Sequence, residues 1–193
     1  MYIPRPDAAS LIQTLIAEKV GPQRYKVWFK NATQVTISDG HIKVSTPNAF
    51  ICSWVERHFS ETIADAAREV TGKEHQVSFV VEVDGVHTIH LGDIGHLLSE
   101  EKLSDIGPVD IACVPLGGSL TPAKAAALIA QLDPRIVVPM PICDDDADCA
   151  ETLKRFFHEM GAEAITQPKL SVTATSLPAE TTTVLLESRG KLA

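Results

Sequence analysis

Apolar residues recur at helical or alternating spacing along the first eighty residues of the chain. Leu11 and Leu15 lie four apart, as do Ile12 and Ile16, which is the spacing of an amphipathic helix. Gly21 with Pro22 ends that helix. Apolar and polar residues alternate on both sides of Asp39-Gly40, which is typical of two strands joined in a hairpin. The predicted elements are helices over 7–20 and 23–29, strands over 34–38 and 41–45, a helix over 50–70 and a strand over 76–81. This α-α-β-β-α-β order predicts a compact α+β unit.

After Asp84 and Gly85 the pattern changes to strands alternating with helices. The predicted strands are 86–91, 109–115 and 135–139, the helices are 99–106, 121–132 and 148–160, and two terminal strands cover 170–175 and 182–187. Such alternation predicts a β/α arrangement in which helices pack on a face of a sheet.

Charge supports a boundary at the same place. The chain has 193 residues, is 45% hydrophobic and carries a formal charge of -8. Residues 1–83 hold nine basic and nine acidic side chains, whereas residues 84–193 hold eight and sixteen. We therefore expect two domains, 1–83 and 84–193, and the negative charge argues against nucleic-acid binding mainly for the second. The sequence shows neither an apolar run of about 20 residues nor a signal-like start, so we expect no membrane segment.

The four cysteines predict free thiols. Cys52 and Cys113 lie inside apolar runs, where a thiol serves as a small buried hydrophobe. Cys143 and Cys149 have five residues between them, which does not match the spacing of a zinc knuckle. We expect a reducing, cytoplasmic location rather than a disulfide or a zinc pair.

Two segments of the first domain carry a family resemblance. They are residues 20–30 (VGPQRYKVWFK) and the strand-to-helix corner at 44–50 (VSTPNAF), followed by Trp54-Val55-Glu56. They resemble the amino-terminal domain of the replication initiator DnaA over about residues 8–82. The resemblance implies a KH-like fold and a protein-interaction module that contacts the replicative helicase or other initiators and touches single-stranded DNA weakly. The initiator's ATPase and duplex-DNA-binding domains have no counterpart in this sequence, so we do not expect an initiator.

Aromatic and basic residues of this domain are the candidates for an interaction surface. We expect four aromatic residues at helical spacing to lie mainly in the core: Trp28, Phe50, Trp54 and Phe59. The candidate partner-binding residues lie along the second helix: Arg24, Lys26, Trp28 and Lys30. Because the domain is neutral overall, a solvated helix face is the alternative interpretation of the basic residues.

Three potential metal ligands, His90, Asp93 and His96, follow a predicted strand at spacings of three. Functional sites gather at strand ends in α/β sheets. Together with the segments 107–110 (GPVD), 114–118 (VPLGG) and 134–140 (PRIVVPM), this motif resembles the carboxy-terminal half of metallo-β-lactamase-fold hydrolases, in particular the ascorbate-6-phosphate lactonase-like branch. The resemblance covers about residues 86–187 and implies that Asp93 matches an aspartate that bridges two metal ions.

The ligand set implied by that family is incomplete. The sequence contains no His-x-His-x-Asp-His motif, and Pro141 stands where the family has its last metal histidine. A catalytic zinc needs at least three protein ligands, so we expect no catalytic residue and no cofactor. The sequence therefore predicts a non-catalytic cytoplasmic adaptor linked to replication initiation, with the degenerate hydrolase half as a scaffold.

The sequence also permits functions other than an adaptor. One is a metal-dependent hydrolase with a remodelled or intersubunit site around His90, Asp93 and His96, holding zinc or manganese. His87 or the acidic run over 144–148 would supply further ligands, although an acidic run before a helix is more often a solvated helix start. A fusion relic without activity is a third interpretation. Half of a layered fold leaves a sheet face uncovered, so we expect either a homodimer or packing of that face on the first domain.

Overall fold

The computed structural model describes residues 7–38, 41–92, 94–143 and 145–187. The chain divides between Val83 and Asp84 into two compact units. The predicted turn at Asp39 and Gly40 lies outside the described residues, as does the candidate ligand Asp93.

The first unit has the predicted α-α-β-β-α-β order. Its elements are α1 (Ala8–Val20), α2 (Pro22–Trp28), β1 (Gln34–Ser38), β2 (His41–Thr46), α3 (Ala49–Thr71) and β3 (Gln76–Val83). Strand β1 pairs antiparallel with β2, and β2 pairs parallel with β3. The α+β prediction for this half is confirmed.

Polar side chains fix where the long helices of this unit begin. The Asp7 carboxylate accepts a hydrogen bond from the Ser10 backbone N–H at 2.7 Å, and this bond lowers the pKa of Asp7. Asn48 Oδ1 accepts one from the Ile51 N–H at 2.9 Å at the start of α3. Gly72, with φ 71°, ends α3 in the left-handed conformation. Both helices therefore begin with a side-chain cap, as short polar residues before an apolar run indicate.

The core of the first unit lies between its helices and its sheet. Ile12 and Ile16 of α1 and Val55 and Ile63 of α3 are fully buried together with Phe79 of β3. The buried Cys52 belongs to the same cluster, and burial raises the pKa of its thiol to about 11. Cys52 is therefore the structural thiol that the sequence predicts.

The second unit alternates strands and helices around a parallel sheet. Its elements are β4 (Val86–His90), α4 (Glu100–Ile106), β5 (Ile111–Leu116), α5 (Pro122–Leu132), β6 (Ile136–Pro141), α6 (Asp146–Met160), β7 (Ile165–Gln167), a 3₁₀ turn (Ala174–Ser176) and β8 (Thr182–Leu186). The spatial order is β4-β5-β6-β8-β7, and every described pairing between these neighbours is parallel. The predicted β/α alternation is confirmed.

The strand predicted over 170–175 is wrong. Leu170 and Val172 do pack against the buried apolar cluster of β4, β5, β6 and β8, which explains their alternation. Thr173 and Ser176, however, bond each other's backbone and side chains, and these local bonds close a 3₁₀ turn instead of extending a strand. The strand that pairs with β8 on the side away from β6 is β7, Ile165–Gln167.

The prediction of free thiols is also wrong for one pair of cysteines. Cys143 and Cys149 form a disulfide with their Cα atoms 5.5 Å apart. Helix α6 begins between them, and Asp145 caps it, its carboxylate accepting the Asp148 N–H at 2.8 Å. Among the described residues neither Cys52 nor Cys113 forms a disulfide, in agreement with the prediction for these two.

Candidate functional site

The aromatic residues of the first unit do not all lie in the core. Phe59 is buried, with 7% of its surface exposed, but Phe50 is 69% and Trp54 38% exposed. Trp28 is half-buried. The prediction that these residues are core is therefore wrong for Phe50 and Trp54. Phe50 lies in the first turn of α3, whereas the buried side chains Val55 and Phe59 follow later in that helix.

Four rings gather on this surface, and we call Trp28, Phe50, Trp54 and His58 the aromatic cluster. The rings of Trp28 and Trp54 are nearly parallel, with centroids 5.0 Å apart. Phe50 lies 6.1 Å from Trp28 and 6.4 Å from Trp54. His58 stacks on Trp54 at 4.1 Å, and its Nδ1 lies 3.0 Å from the Trp54 carbonyl oxygen. The cluster joins α2 to α3.

The four candidate partner-binding residues lie in two different environments. Lys26 and Lys30 line an open groove with residues of α1, among them Thr14 and Ala17. Trp28 instead belongs to the aromatic cluster. Arg24 is exposed one helical turn before Trp28, which places it on the same side of α2. The four candidate residues thus do not form one continuous surface. Partner binding by them stays a prediction.

The candidate metal ligands follow β4 without forming a described site. His90 is half-buried at the end of the strand, and its Nδ1 accepts a hydrogen bond from the Gly92 N–H at 3.2 Å. Asp93 lies outside the described residues, and His96 is exposed. Across the described ranges, no three His, Cys, Asp or Glu side chains are grouped so that they could hold a metal ion.

The surroundings of His96 oppose a cation. His96 is exposed as a whole, but slight desolvation of its ring, followed by the positive charges of Lys102 and Lys124, lowers the pKa of His96. The ammonium groups that oppose protonation of the imidazole also repel a metal ion bound to it. Pro141, at the end of β6, has no side-chain donor. The described residues therefore do not fit a catalytic metal, and we derive no reaction step through one.

His87 and the acidic run over 144–148 are the further candidate metal ligands, and the described members have other structural roles. His87 lies near the beginning of β4, and Asp110 Oδ2 accepts its backbone N–H at 2.7 Å and lies 3.2 Å from its Nδ1. Asp145 caps α6, and Asp146 and Asp148 lie in its first turn, where carboxylates favour the positive end of the helix dipole. Asp145, Asp146 and Asp148 thus form a solvated helix start, and Asp144, the other carboxylate of the run, lies outside the described residues.

Two family profiles match the chain. The beta-lactamase superfamily domain matches residues 43–141, and the DnaA N-terminal domain matches residues 10–69. The first match covers more than half of the sequence, and the chain belongs to the beta-lactamase superfamily. Both predicted resemblances are confirmed, and the superfamily match begins well before residue 86.

Individual relatives divide between the same two families. A UPF0173 metal-dependent hydrolase of Thermococcus onnurineus is 43% identical over 65 residues, 32% of this chain and 29% of that protein. Another, of Thermococcus kodakarensis, is 36% identical over 101 residues, 47% of this chain and 42% of that protein. The chromosomal replication initiator protein DnaA of Thermodesulfovibrio yellowstonii is 29% identical over 70 residues, 36% of this chain and 16% of that protein. The chain thus spans less than half the length of each of these relatives.

Two solved structures are similar to parts of this chain at low sequence identity. A metallo-beta-lactamase superfamily protein of Thermotoga maritima has 20% identity and a TM-score of 0.48, over 83% of this chain and 97% of that one. A metallo-beta-lactamase fold protein of Bacillus subtilis has 6% identity and a TM-score of 0.31, over 82% of this chain and 91% of that one.

None of the helices in the described ranges combines the length and the apolar character that crossing a membrane requires.

Proposed function

We propose that this protein is a non-catalytic interaction protein whose first unit docks a partner through the aromatic cluster. The observation that supports this proposal is the exposure of Phe50, 69%, beside the stacked rings of Trp28 and Trp54. Large aromatic side chains at a surface are the residues that most often contribute binding energy at protein interfaces. An exposed phenylalanine in the first turn of a capped helix does not contribute to the core of its own unit.

The packing within the cluster favours binding in a second way. Trp28 and Trp54 hold each other in a nearly parallel stack, and His58 covers another side of Trp54. Rings that are already fixed lose little side-chain freedom when a partner covers them, so less binding energy is spent on ordering them. Arg24, on the same side of α2, would supply charge at the rim.

The DnaA similarity suggests the identity of the partner. We propose the replicative helicase or the replication initiator itself, with weak single-stranded DNA contact as a further outcome to measure. The first unit has no net charge, so its affinity for DNA would be low and would fall further with salt. The second unit would act as a scaffold and, through its sheet, as a homodimerisation surface. We propose a cytoplasmic location for this adaptor because its proposed replication partners act there; the Cys143–Cys149 disulfide, which is uncommon in reducing compartments, argues against it.

Phe50→Ala tests the docking surface, because its side chain is exposed and its removal leaves the core intact. Purified protein would be used in pull-down assays with the helicase and with the full-length initiator. We expect retention of at least one of them by the parent protein and a loss of about tenfold or more in affinity for Phe50→Ala. Ile165→Ala, which removes a 51% exposed side chain of the second unit, is the matched control. Failure of the parent protein to bind either partner would contradict the proposal.

The second candidate function is a metal-dependent hydrolase with an intersubunit site around His90, Asp93 and His96. Membership of the beta-lactamase superfamily favours it, and the positive charges beside His96 disfavour it. Metal analysis of purified protein separates the two functions. Stoichiometric zinc or manganese that is lost in Asp93→Ala would favour the hydrolase, and light scattering on the same sample would show whether the chain is a dimer.

A further inference from the structure

The disulfide between Cys143 and Cys149 lies where the chain passes from β6 to α6. Cys143 follows the end of β6 by two residues, and Cys149 lies near the beginning of α6. Both cysteines are half-buried, so part of each residue remains in contact with solvent. Thiol–disulfide exchange requires access to a sulfur atom, and exposed disulfides are typically the labile or regulatory ones. This bond is therefore a candidate for reversible reduction.

The residue before Cys143 packs directly on the loop that follows β5. The Ile142 N–H donates a hydrogen bond to the Leu116 carbonyl oxygen at 2.7 Å. A Cβ atom at Gly117 would collide with the Ile142 carbonyl oxygen, so the two backbones are in contact with no space between them. Because close-packed segments transmit displacement to each other, the position of Cys143 bears on the position of this loop.

The loop after β5 is also in contact with the loop after β4. A Cβ atom added at Gly95 would lie 2.6 Å from the Ser119 Cβ. Gly117 and Leu120 exchange backbone hydrogen bonds at 3.2 and 3.1 Å, which makes residues 117–120 a tight turn. Strands β4, β5 and β6 are parallel, so the loops that follow them lie at the same edge of the sheet. We call residues 94–98, 117–120 and 142–143 the loop row.

Helix α6 has supports of its own besides the disulfide. The Asp145 carboxylate caps its first turn, and Phe156 is fully buried. Breaking the S–S bond should therefore leave α6 in place and free only the end of the loop row that is tied to it. Reduction would change the order of the loops without unfolding the unit.

We propose that the Cys143–Cys149 disulfide is a reversible redox switch that fixes the loop row when closed and loosens it when a small thiol opens it. The thiolate of the reductant attacks one sulfur, the S–S bond breaks, and a mixed disulfide forms. A second reductant thiol displaces the remaining protein sulfur. Two electrons thus reach the two cysteines, the two thiol protons of the reductant end on them, and the reductant leaves as a disulfide.

The switch is independent of the aromatic cluster and of the interaction function proposed for it. A reversible bond is also compatible with the proposed location, since disulfides in reducing compartments are usually transient or redox-sensing.

Hydrogen exchange of the full chain, read by mass spectrometry, compares the oxidised protein with protein reduced by dithiothreitol. We expect the backbone amides of residues 94–98 and 117–120 to exchange at least about threefold faster after reduction, because the loop row is then free at one end. The amides of α3 in the first unit should exchange at the same rate in both states. Equal exchange of both loops before and after reduction would overturn the proposal.

Two variants make the exchange measurement specific. The double substitution Cys143→Ser with Cys149→Ser should show the fast exchange of the reduced protein, with or without dithiothreitol. Cys113→Ser removes a half-buried thiol of β5 that forms no disulfide, and it should respond to dithiothreitol as the parent protein does. A dithiothreitol effect that persists in the double variant, or that Cys113→Ser abolishes, would contradict the proposal. The comparison of oxidised and reduced parent protein stands even where a variant fails to fold.

A redox titration distinguishes a switch from a permanent structural bond. The protein is equilibrated in graded ratios of reduced to oxidised glutathione, and the thiols of Cys143 and Cys149 are counted by alkylation and mass spectrometry. We expect the pair to pass from disulfide to dithiol within the ratios that cells maintain, and to close again when oxidised glutathione is restored. A pair that stays oxidised across the whole series, or that does not close again, would overturn the proposal.

Discussion

The indole rings of Trp28 and Trp54 stack with centroids 5.0 Å apart, joining α2 to α3 at the surface of the first unit. Phe50 extends the stack into solvent, while Phe59, nine residues further along α3, packs edge-on against Phe29 in the core. One helix therefore presents aromatic side chains to two different environments.

This difference predicts unequal effects of two alanine substitutions on stability. Phe59→Ala removes a buried ring and should lower the free energy of unfolding by about 3–5 kcal/mol. Phe50→Ala removes a mostly exposed ring and should lower it by no more than about 1 kcal/mol. Urea unfolding followed by circular dichroism measures both values. Equal losses for the two variants would show that Phe50 also belongs to the core.

The disulfide should contribute measurably to stability. Closing the short loop between Cys143 and Cys149 restricts the unfolded chain, which is worth about 2 kcal/mol in the chain-entropy description. Cys149→Ser should therefore lower the free energy of unfolding by about that amount. Adding a reductant to the parent protein should have the same effect and should leave the variant unchanged. A reductant effect that persists in Cys149→Ser would assign the loss to another group.

Two adjacent glycines after β5, Gly117 and Gly118, should differ in how much stability their replacement by alanine costs. Gly117 has φ 101°, and a Cβ there would collide with the Ile142 carbonyl oxygen. Gly118 has φ 56° with open space around its Cα. Gly118→Ala should cost about 1–2 kcal/mol for the left-handed conformation alone, and Gly117→Ala should cost clearly more because the segment after β6 must also move. Thermal unfolding of the two variants compares these costs directly.

The ionisation of His96 provides a test of its electrostatic surroundings. Burial and then the charges of Lys102 and Lys124 lower its pKa, so the folded state binds a proton less readily than the unfolded chain does. The contribution of His96 to stability should therefore be present above the unfolded histidine pKa of about 6.5 and decrease as the pH falls through that value.

An NMR titration of the His96 ring should show a pKa below that of an unfolded histidine. Lys124→Ala should raise this pKa part of the way towards the unfolded value, because burial and Lys102 remain. A pKa that Lys124→Ala leaves unchanged would mean that the Lys124 ammonium does not act on this imidazole.

The sequence predicted most of the secondary structure because those signals are local. The four-residue spacing of Leu11 and Leu15 and the polar cap at Asn48 depend on neighbours within a turn or two. The strand expected over 170–175 was wrong where a second local interaction, between Thr173 and Ser176, outweighed the alternation. Strand β7, which pairs with β8 at the edge of the sheet, has only three residues and is too short to show a periodic pattern.

The candidate sites were less predictable because they depend on residues far apart in the sequence. Nothing in the sequence around Trp28, Phe50 and Trp54 indicates that their rings gather at the surface of the unit instead of in its core. Likewise, the spacing of Cys143 and Cys149 does not match a zinc knuckle, and it gave no sign that they pair across the start of α6. A ligand motif that looked continuous, His90 to His96, has one imidazole bonded to its own loop and the other beside two ammonium groups.

By itself the sequence determined the order of helices and strands, the change of pattern after Asp84 and the two family resemblances, since composition and periodicity carry that information along the chain. Only the tertiary structure decided which aromatic rings face water and which cysteines pair. The physical reason is that burial and charge environment are set by the packing of separate elements, and a linear pattern specifies the face of an element but not what covers it.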